Sequence, residues 1–350
     1  MMADESGDGA ASALDTKRYD RQIRLWGLET QRGLQGANIL LLRACGLGNE
    51  IAKNLVLAGV GHLCVQDAEA VSEAYVAAGG VFSVSKVDIG KNRAAVAKER
   101  LQALNPQVRI TAAEEEFGTL SADFLRGFQF IVATHGTGGV EEICACTALL
   151  RADDDEAPAA KRARRDGSSP DMAQPKLIAA GAMGMFGFAA FDLLEFTHTA
   201  AAKKGAPADP DAPDGLRRCS LSYPTIATAM GVEWRQLGPR SPRLYCALQL
   251  LLEHSRAGGS GPSVEERRIA KLVEANRDES HFREPLDAAF VAAVSAGASS
   301  ELPPVCAIMG GMVATEVIKI IGGKEAPINN VLLFDATAST DAAGVVARLG

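Results

Sequence analysis

The stretch A-N-I-L-L-L-R-A-C-G-L-G-N-E-I-A-K-N-L-V-L-A-G-V-G-H-L-C-V-Q-D, Ala37 to Asp67, decides the architecture of this 350-residue chain. Ile39 to Leu42 is a continuous apolar run, as a strand buried on both faces requires. Gly46 and Gly48 break it with a tight turn, and the pattern then predicts a helix from Asn49 or Glu50. Ile51, Ala52, Leu55 and Val56 fall on one face of that helix, Lys53 and Asn54 point away, and Gly59 stands where it stops. A second apolar run, Leu63 to Val65, leads into Asp67. Strand, helix and strand in this order make a βαβ unit of the kind that opens a nucleotide-binding fold.

Phosphates would lie at the turn, where bare N–H groups and a helix N-terminus attract anions. The fingerprint G-x-G-x-x-G maps there onto Arg43-Ala44-Cys45-Gly46-Leu47-Gly48, so Arg43 and Cys45 replace its first two glycines. A side chain at the second of these obstructs a pyrophosphate. The fold signal is strong while the nucleotide signal is weak.

A hydrophobic content of 47% lets the chain bury one large core or two modest ones, and its net charge of -7 argues against non-specific nucleic-acid binding. The seven cysteines (Cys45, Cys64, Cys144, Cys146, Cys219, Cys246, Cys306) are odd in number and scattered through apolar runs, as in a reducing compartment. No C-x-x-C pair occurs, so no metal site is expected. The N-terminus shows no secretory pattern, and the most apolar segment, Val305 to Ala314, is shorter than a membrane span of about 20 residues. A soluble intracellular protein is expected.

Residues 1–16 read as a disordered tail, followed by R-Y-D-R-Q-I-R-L-W-G, Arg18 to Gly27. Ile23, Leu25 and Trp26 offer an anchoring face there. Arg18, Arg21 and Arg24 recur every three residues, which is either a solvated helix face or an arginine aimed at another molecule's phosphate. Beyond the βαβ unit the pattern predicts a helix at 91–104, a strand at 108–112, a short helix capped by Ser121, a strand at 130–133 and a helix at 139–150. Strands alternating with helices call for an α/β fold with a doubly wound, mainly parallel sheet. Composition breaks at Asp153 to Asp171, and exposed linkers are expected at 151–175 and 198–218. In the first of them Lys161, Arg162, Arg164 and Arg165 form a candidate nuclear localisation signal. A strand at 176–180, a glycine-punctuated hairpin to Leu194, a short helical insertion at about 240–300, a long helix after Pro303-Pro304 and terminal strands at 331–334 and 345–349 complete the reading. The first half of the long helix is apolar all round and is expected to be buried, with Gly310-Gly311 admitting a close backbone neighbour.

R-Y-D-R-Q-I-R-L-W-G, then G-L-G-N-E-I-A-K-N-L-V-L-A-G-V-G, then P-P-V-C-A-I-M-G-G-M-V-A-T-E-V-I-K together resemble the ubiquitin-activating, ThiF-type adenylation enzymes, and most of all the smaller, non-catalytic subunits of their SUMO-activating branch. The resemblance implies a Rossmann-like adenylation fold acting in pairs. One ATP adenylates the modifier's C-terminal glycine, and a cysteine of the active half takes it as a thioester. It also implies that this chain is the degenerate partner. Ala77 to Phe82 (A-A-G-G-V-F) stands where active halves carry an arginine that meets phosphates, Arg93 stands in place of a phosphate-facing lysine, and Thr134-His135 stands in place of a magnesium-binding aspartate. Asp67 or Glu69 keeps the ribose acid. No cofactor of its own is therefore expected at Arg43, Cys45, Gly46 and Gly48. Mg-ATP would sit in the catalytic subunit, with Arg21 reaching it in trans and Arg24 the second candidate.

The expected partners are that catalytic subunit and SUMO, without nucleic acid or membrane, and the expected location is the nucleus. Cys219, in R-R-C-S-L-S-Y-P, is a weak candidate nucleophile, because only about 80 residues separate Tyr223 from Pro303 and leave no room for the large domain that should follow. Three alternatives remain at this stage: the regulatory half of the NEDD-type enzyme, a stand-alone adenylyltransferase, and a nicotinamide-dependent oxidoreductase on the same βαβ unit.

Overall fold

Four consecutive leucine and isoleucine side chains can be buried only if a strand is covered on both faces, and Ile39 to Leu42 are covered in this way. In the computed structural model, which describes residues 14–77, 84–134, 136–156, 174–201, 216–233, 236–237, 242–256, 288–337 and 346–347, they lie in an interior strand of an eight-stranded sheet. Helices α1 (Asp20–Trp26) and α2 (Leu28–Gln35) precede that strand, β1 (Asn38–Leu42). Then come α3 (Gly46–Ala58), β2 (His62–Gln66), α4 (Glu73–Ala77), α5 (Arg93–Leu104), β3 (Arg109–Ala113), α6 (Ala122–Arg126), β4 (Phe130–Ala133) and α7 (Gly136–Glu156). The rest of the chain forms β5 (Lys176–Met183), β6 (Phe186–Asp192), β7 (Glu195–Ala201), β8 (Leu216–Ser222), α8 (Ile226–Ala229), α9 (Arg243–Arg256), α10 (Ala288–Gly297), α11 (Pro303–Gly322), β9 (Val331–Asp335) and β10 (Val346–Ala347).

The strand order is β10-β9-β6-β5-β4-β1-β2-β3. β3, β2, β1, β4 and β5 run parallel, while β6, β9 and β10 pair antiparallel at the far side. Alternate side chains of each strand face opposite layers. Leu40, Leu42, Ile131 and Ala133 join α7, α9 and α10 in one core, whereas Ile39, Leu41, Phe130 and Val132 join α3, α5 and α11 in the other. The chain therefore winds to both sides of β1 and β4. The carboxyl ends of those two strands form the switch point, where ligands bind in open α/β sheets.

The ends of α3 carry most of the information about the site. Gly59 closes the helix with φ +85°, as the sequence predicts. At its start, however, the helix begins at Gly46 rather than Asn49, because Cys45 serves as N-cap and its sulfur accepts from the Gly48 N–H at 3.4 Å. The two glycines therefore lie inside the first helical turn.

Elsewhere the elements run longer or shorter than expected. Residues 151–156 continue α7, and β7 and β8 pair with each other, so the linkers expected at 151–175 and 198–218 are helix or strand at their ends. Two helices, α9 and α10, bracket residues 257–287 of the expected helical insertion, which lie outside the described set. The Asp15 carboxylate accepts from the N–H groups of Lys17 and Arg18 at 3.2 and 3.0 Å, so ordered structure begins inside the expected tail. No residue of α1 is buried and Leu25 is 79% exposed, contrary to its expected anchoring role. Trp26 of the expected face does pack against the core, and Tyr19 adds the buried anchor, its ring against Gly59 and its hydroxyl accepting from Asn105 Nδ2 at 2.8 Å.

α11 has 20 residues and is long and apolar enough to cross a bilayer by length and composition. Its row Val305, Cys306, Met309, Val313, Val317 and Ile320 is instead packed in the core. A Cβ on Gly310 would lie 2.7 Å from the Glu50 Cβ, so α11 and α3 touch backbone to backbone, as the glycine pair predicts. The opposite face is not covered: Ile308 is 46% exposed, which corrects the expectation that the first half is buried all round.

Candidate functional site

At a parallel-sheet switch point a nucleotide would need free N–H groups at the α3 N-terminus, a free acid at the end of β2 and room above β4. The structure supplies each feature already engaged. Glu301, in the loop between α10 and α11, accepts from the Gly46 N–H at 2.6 Å and the Leu47 N–H at 3.3 Å. The next amide, Gly48, donates to Cys45. Asp67 is buried, and its carboxylate accepts from the N–H groups of Ala44 and Glu69, each at 2.9 Å. It is held by backbone rather than offered to a ribose.

The two arginines at the mouth are likewise committed. Arg43 takes the first-glycine position with a left-handed φ of +74° and pairs with Glu142 at 2.9 Å and Glu69 at 3.3 Å. Burial works to lower the Arg43 pKa, but the hydrogen bond and charge of Glu142, with Asp67 and Glu69 behind it, raise it on balance. Arg93, the first residue of α5, pairs with the other oxygen of Glu69 at 2.8 Å, donates to Ala70 O at 3.2 Å and lies 4.1 Å over the Tyr75 ring. Tyr75 in turn donates its hydroxyl to Ala44 O, and burial pushes its phenol pKa up.

Cys45 fills the place of the glycine that would face a pyrophosphate. Its thiol donates to Thr134 O at 2.8 Å, and desolvation, reinforced by the Glu301 carboxylate, pushes its pKa well above the ordinary value. Thr134, at the expected magnesium position, directs its own hydroxyl to Leu42 O and Arg43 O at 3.1 and 3.0 Å. His135 and residues 78–83 lie outside the described set. The described residues do not fit Mg-ATP, since their donors and acidic groups are spent on one another.

The arginines of the N-terminal motif separate by role. Arg18 donates to Leu104 O at 2.9 Å, and Arg24 pairs with Asp20 at 3.1 Å. Arg21 is exposed and has no partner among the described residues. Cys219 lies in β8 opposite His198, in a ladder rather than the loop expected of a nucleophile. The basic cluster Lys161, Arg162, Arg164 and Arg165 is outside the described residues. Sequence reading missed Glu301, Tyr75 and Glu142. Glu301 is 255 residues from Gly46 in the chain, and no spacing rule joins them.

Residues 19–345 match the profile of the ThiF family. Over its whole length the chain is 28% identical to human SUMO-activating enzyme subunit 1, covering 99% of that protein. It is 28% identical to SUMO-activating enzyme subunit 1B-1 of Arabidopsis thaliana, with 96% of each chain covered. It is 29% identical to the DNA damage tolerance protein rad31 of Schizosaccharomyces pombe, over 94% of this chain and 96% of that one.

Proposed function

The chain belongs to the ThiF family, and on that premise we propose that it is the smaller, non-catalytic subunit of a heterodimeric SUMO-activating enzyme. The observation that carries the division of labour is the self-satisfied switch point. Glu301 on the α3 amides and Asp67 held by backbone support the reading that the ATP consumed in adenylation is bound elsewhere. The nucleotide and the thioester cysteine then belong to the catalytic subunit, and SUMO is the modifier whose C-terminal glycine is adenylated. What this chain adds is a positive charge on Arg21, carried by a helix with no buried residue and free to meet a partner. A planar, permanently charged guanidinium suits phosphate oxygens.

The test is co-purification with a candidate catalytic subunit, followed by ATP–pyrophosphate exchange with each chain singly and with both. The expected outcome is a stable pair, no exchange by this chain alone, and SUMO-dependent exchange by the pair. Exchange by this chain alone would establish a self-sufficient adenylating enzyme instead.

We further propose nuclear residence, directed by Lys161, Arg162, Arg164 and Arg165, a basic run in a segment too polar to join a core. Replacing all four by alanine is expected to shift a fluorescent fusion from nucleus to cytoplasm. An unchanged distribution disposes of the signal.

A further inference from the structure

A seven-residue helix does not keep its shape or its direction in water by itself, and α1 buries none of its residues. What fixes it is the C-terminal end of α3. The last four residues of a helix present carbonyls that have no intrahelical donor. In α3 these are Leu55, Val56, Leu57 and Ala58, and each is met from inside the molecule. The Gly59 N–H donates to Leu55 O at 3.1 Å, Asn105 Nδ2 to Val56 O at 2.9 Å, Gln22 Nε2 to Leu57 O at 3.2 Å and Gln31 Nε2 to Ala58 O at 2.8 Å. Gln22 belongs to α1 and Gln31 to α2, while Asn105 also donates to the Tyr19 hydroxyl at the start of α1.

We propose that Gln22 and Tyr19 are positioning residues for Arg21, clamping α1 to the end of α3 and so fixing the point from which the Arg21 guanidinium reaches out. The inference rests on the role given to Arg21 above. Arg21 is exposed and has no partner among the described residues, so its own side chain does not set its place. The residues that set it stand on either side of it in the chain. Tyr19 is buried, and its ring occupies the space that Gly59 leaves, where a Cβ would meet ring atoms at 2.6 Å. Arg18 adds a donation to Leu104 O, at the end of α5, at 2.9 Å. The start of α1 is therefore tied by donors to the negative ends of two helices. The tie matters to rate, because a misplacement of about 1 Å can cost about 10²-fold in reactions that depend on alignment.

Gln22 also lets positioning be separated from stability. Its Oε1 is buried without a hydrogen-bond partner among the described residues, so Gln22→Met removes an unsatisfied acceptor together with the donor to Leu57 O. The two changes oppose each other in stability, but both release α1 from α3.

The experiment measures SUMO-dependent ATP–pyrophosphate exchange by the assembled pair, with Gln22→Met and Tyr19→Phe each made in the wild-type chain and in an Arg21→Ala chain. Size-exclusion chromatography checks that every pair is intact. Gln22→Met is expected to lower kcat about tenfold at an unchanged KM for ATP, because Arg21 acts on charge that builds in the transition state, and to have no further effect once Arg21 is alanine. Tyr19→Phe keeps the ring on Gly59 and loses only the bond to Asn105. It is expected to lower kcat about threefold with the same dependence on Arg21, and it supplies the answer if the Gln22→Met chain fails to pair. Full rates in both variants, with Arg21→Ala slow, would overturn the clamp and leave the arginine's role standing. Losses of equal size with and without Arg21 would overturn it too, since α1 would then serve pairing alone. Arg21→Ala at the wild-type rate would overturn the arginine's role and this inference with it.

Discussion

Arg21→Ala is expected to slow modifier adenylation by the assembled pair about 10³-fold, the low end of what a trans-acting arginine supplies to phosphate chemistry, or about 4 kcal/mol of barrier. The same substitution should leave the fold untouched. Arg21 lies in a helix without a buried residue and has no partner among the described residues, and such surface changes fall within about 0.5 kcal/mol of wild type. Arg24→Ala is the matched control. It breaks only the exposed pair with Asp20, worth less than about 1 kcal/mol, and should leave adenylation near its normal rate. Arg21→Lys should not rescue, because a point ammonium lacks the planar fork that meets two oxygens at once. ATP–pyrophosphate exchange measures the rate, and size-exclusion chromatography shows the pair intact. Unchanged exchange with Arg21→Ala removes the arginine from the mechanism.

The features legible in the sequence were those with a short physical range. A buried parallel strand announces itself in four adjacent residues, and a left-handed cap announces itself as Gly59, so β1, α3 and their neighbours were readable from Ile39 onward. The two missing glycines were readable for the same reason, and they pointed to a helix N-terminus that departs from the nucleotide-binding pattern. What replaces the nucleotide was not readable. Glu301 meets Gly46 through the topology of the whole sheet, and Tyr75, Arg93 and Glu142 converge from three other helices. The expected start of α3 was also late, since a cysteine is an uncommon N-cap and Gly46 and Gly48 read as breakers of helix rather than as its first turn. Leu25 misled in the opposite direction. An apolar residue in a short amphipathic segment reads as an anchor, yet here Tyr19 holds the segment and Leu25 faces outward.

Gly48→Ala is expected to destabilise the isolated chain by about 3 kcal/mol, the upper range for forcing atoms into a packed interior. The third glycine of the fingerprint serves the close approach of helix and strand rather than the nucleotide. A Cβ at Gly48 would lie 2.3 Å from Arg43 O and 2.7 Å from Thr134 Oγ1. Neither atom can retreat cheaply. Arg43 O belongs to a backbone already turned to φ +74° and fixed by the Arg43 N–H donating to Gln66 O at 2.8 Å, while Thr134 is tied to two carbonyls at the β4 end. Urea unfolding should show a lower midpoint with an unchanged slope, the mark of lost stability rather than a changed unfolded state. Cys45→Gly supplies the contrast. It restores the fingerprint's middle glycine but removes the cap on the Gly48 amide, and should cost about 1 kcal/mol while conferring no ATP binding as long as Glu301 remains. A Gly48→Ala protein as stable as wild type would show that the helix–strand contact is slack. If the large loss appears, it explains the uneven decay of the fingerprint. The first two positions of the fingerprint, where a nucleotide would need glycine, hold Arg43 and Cys45, whereas the position that lets α3 rest on the sheet admits only glycine.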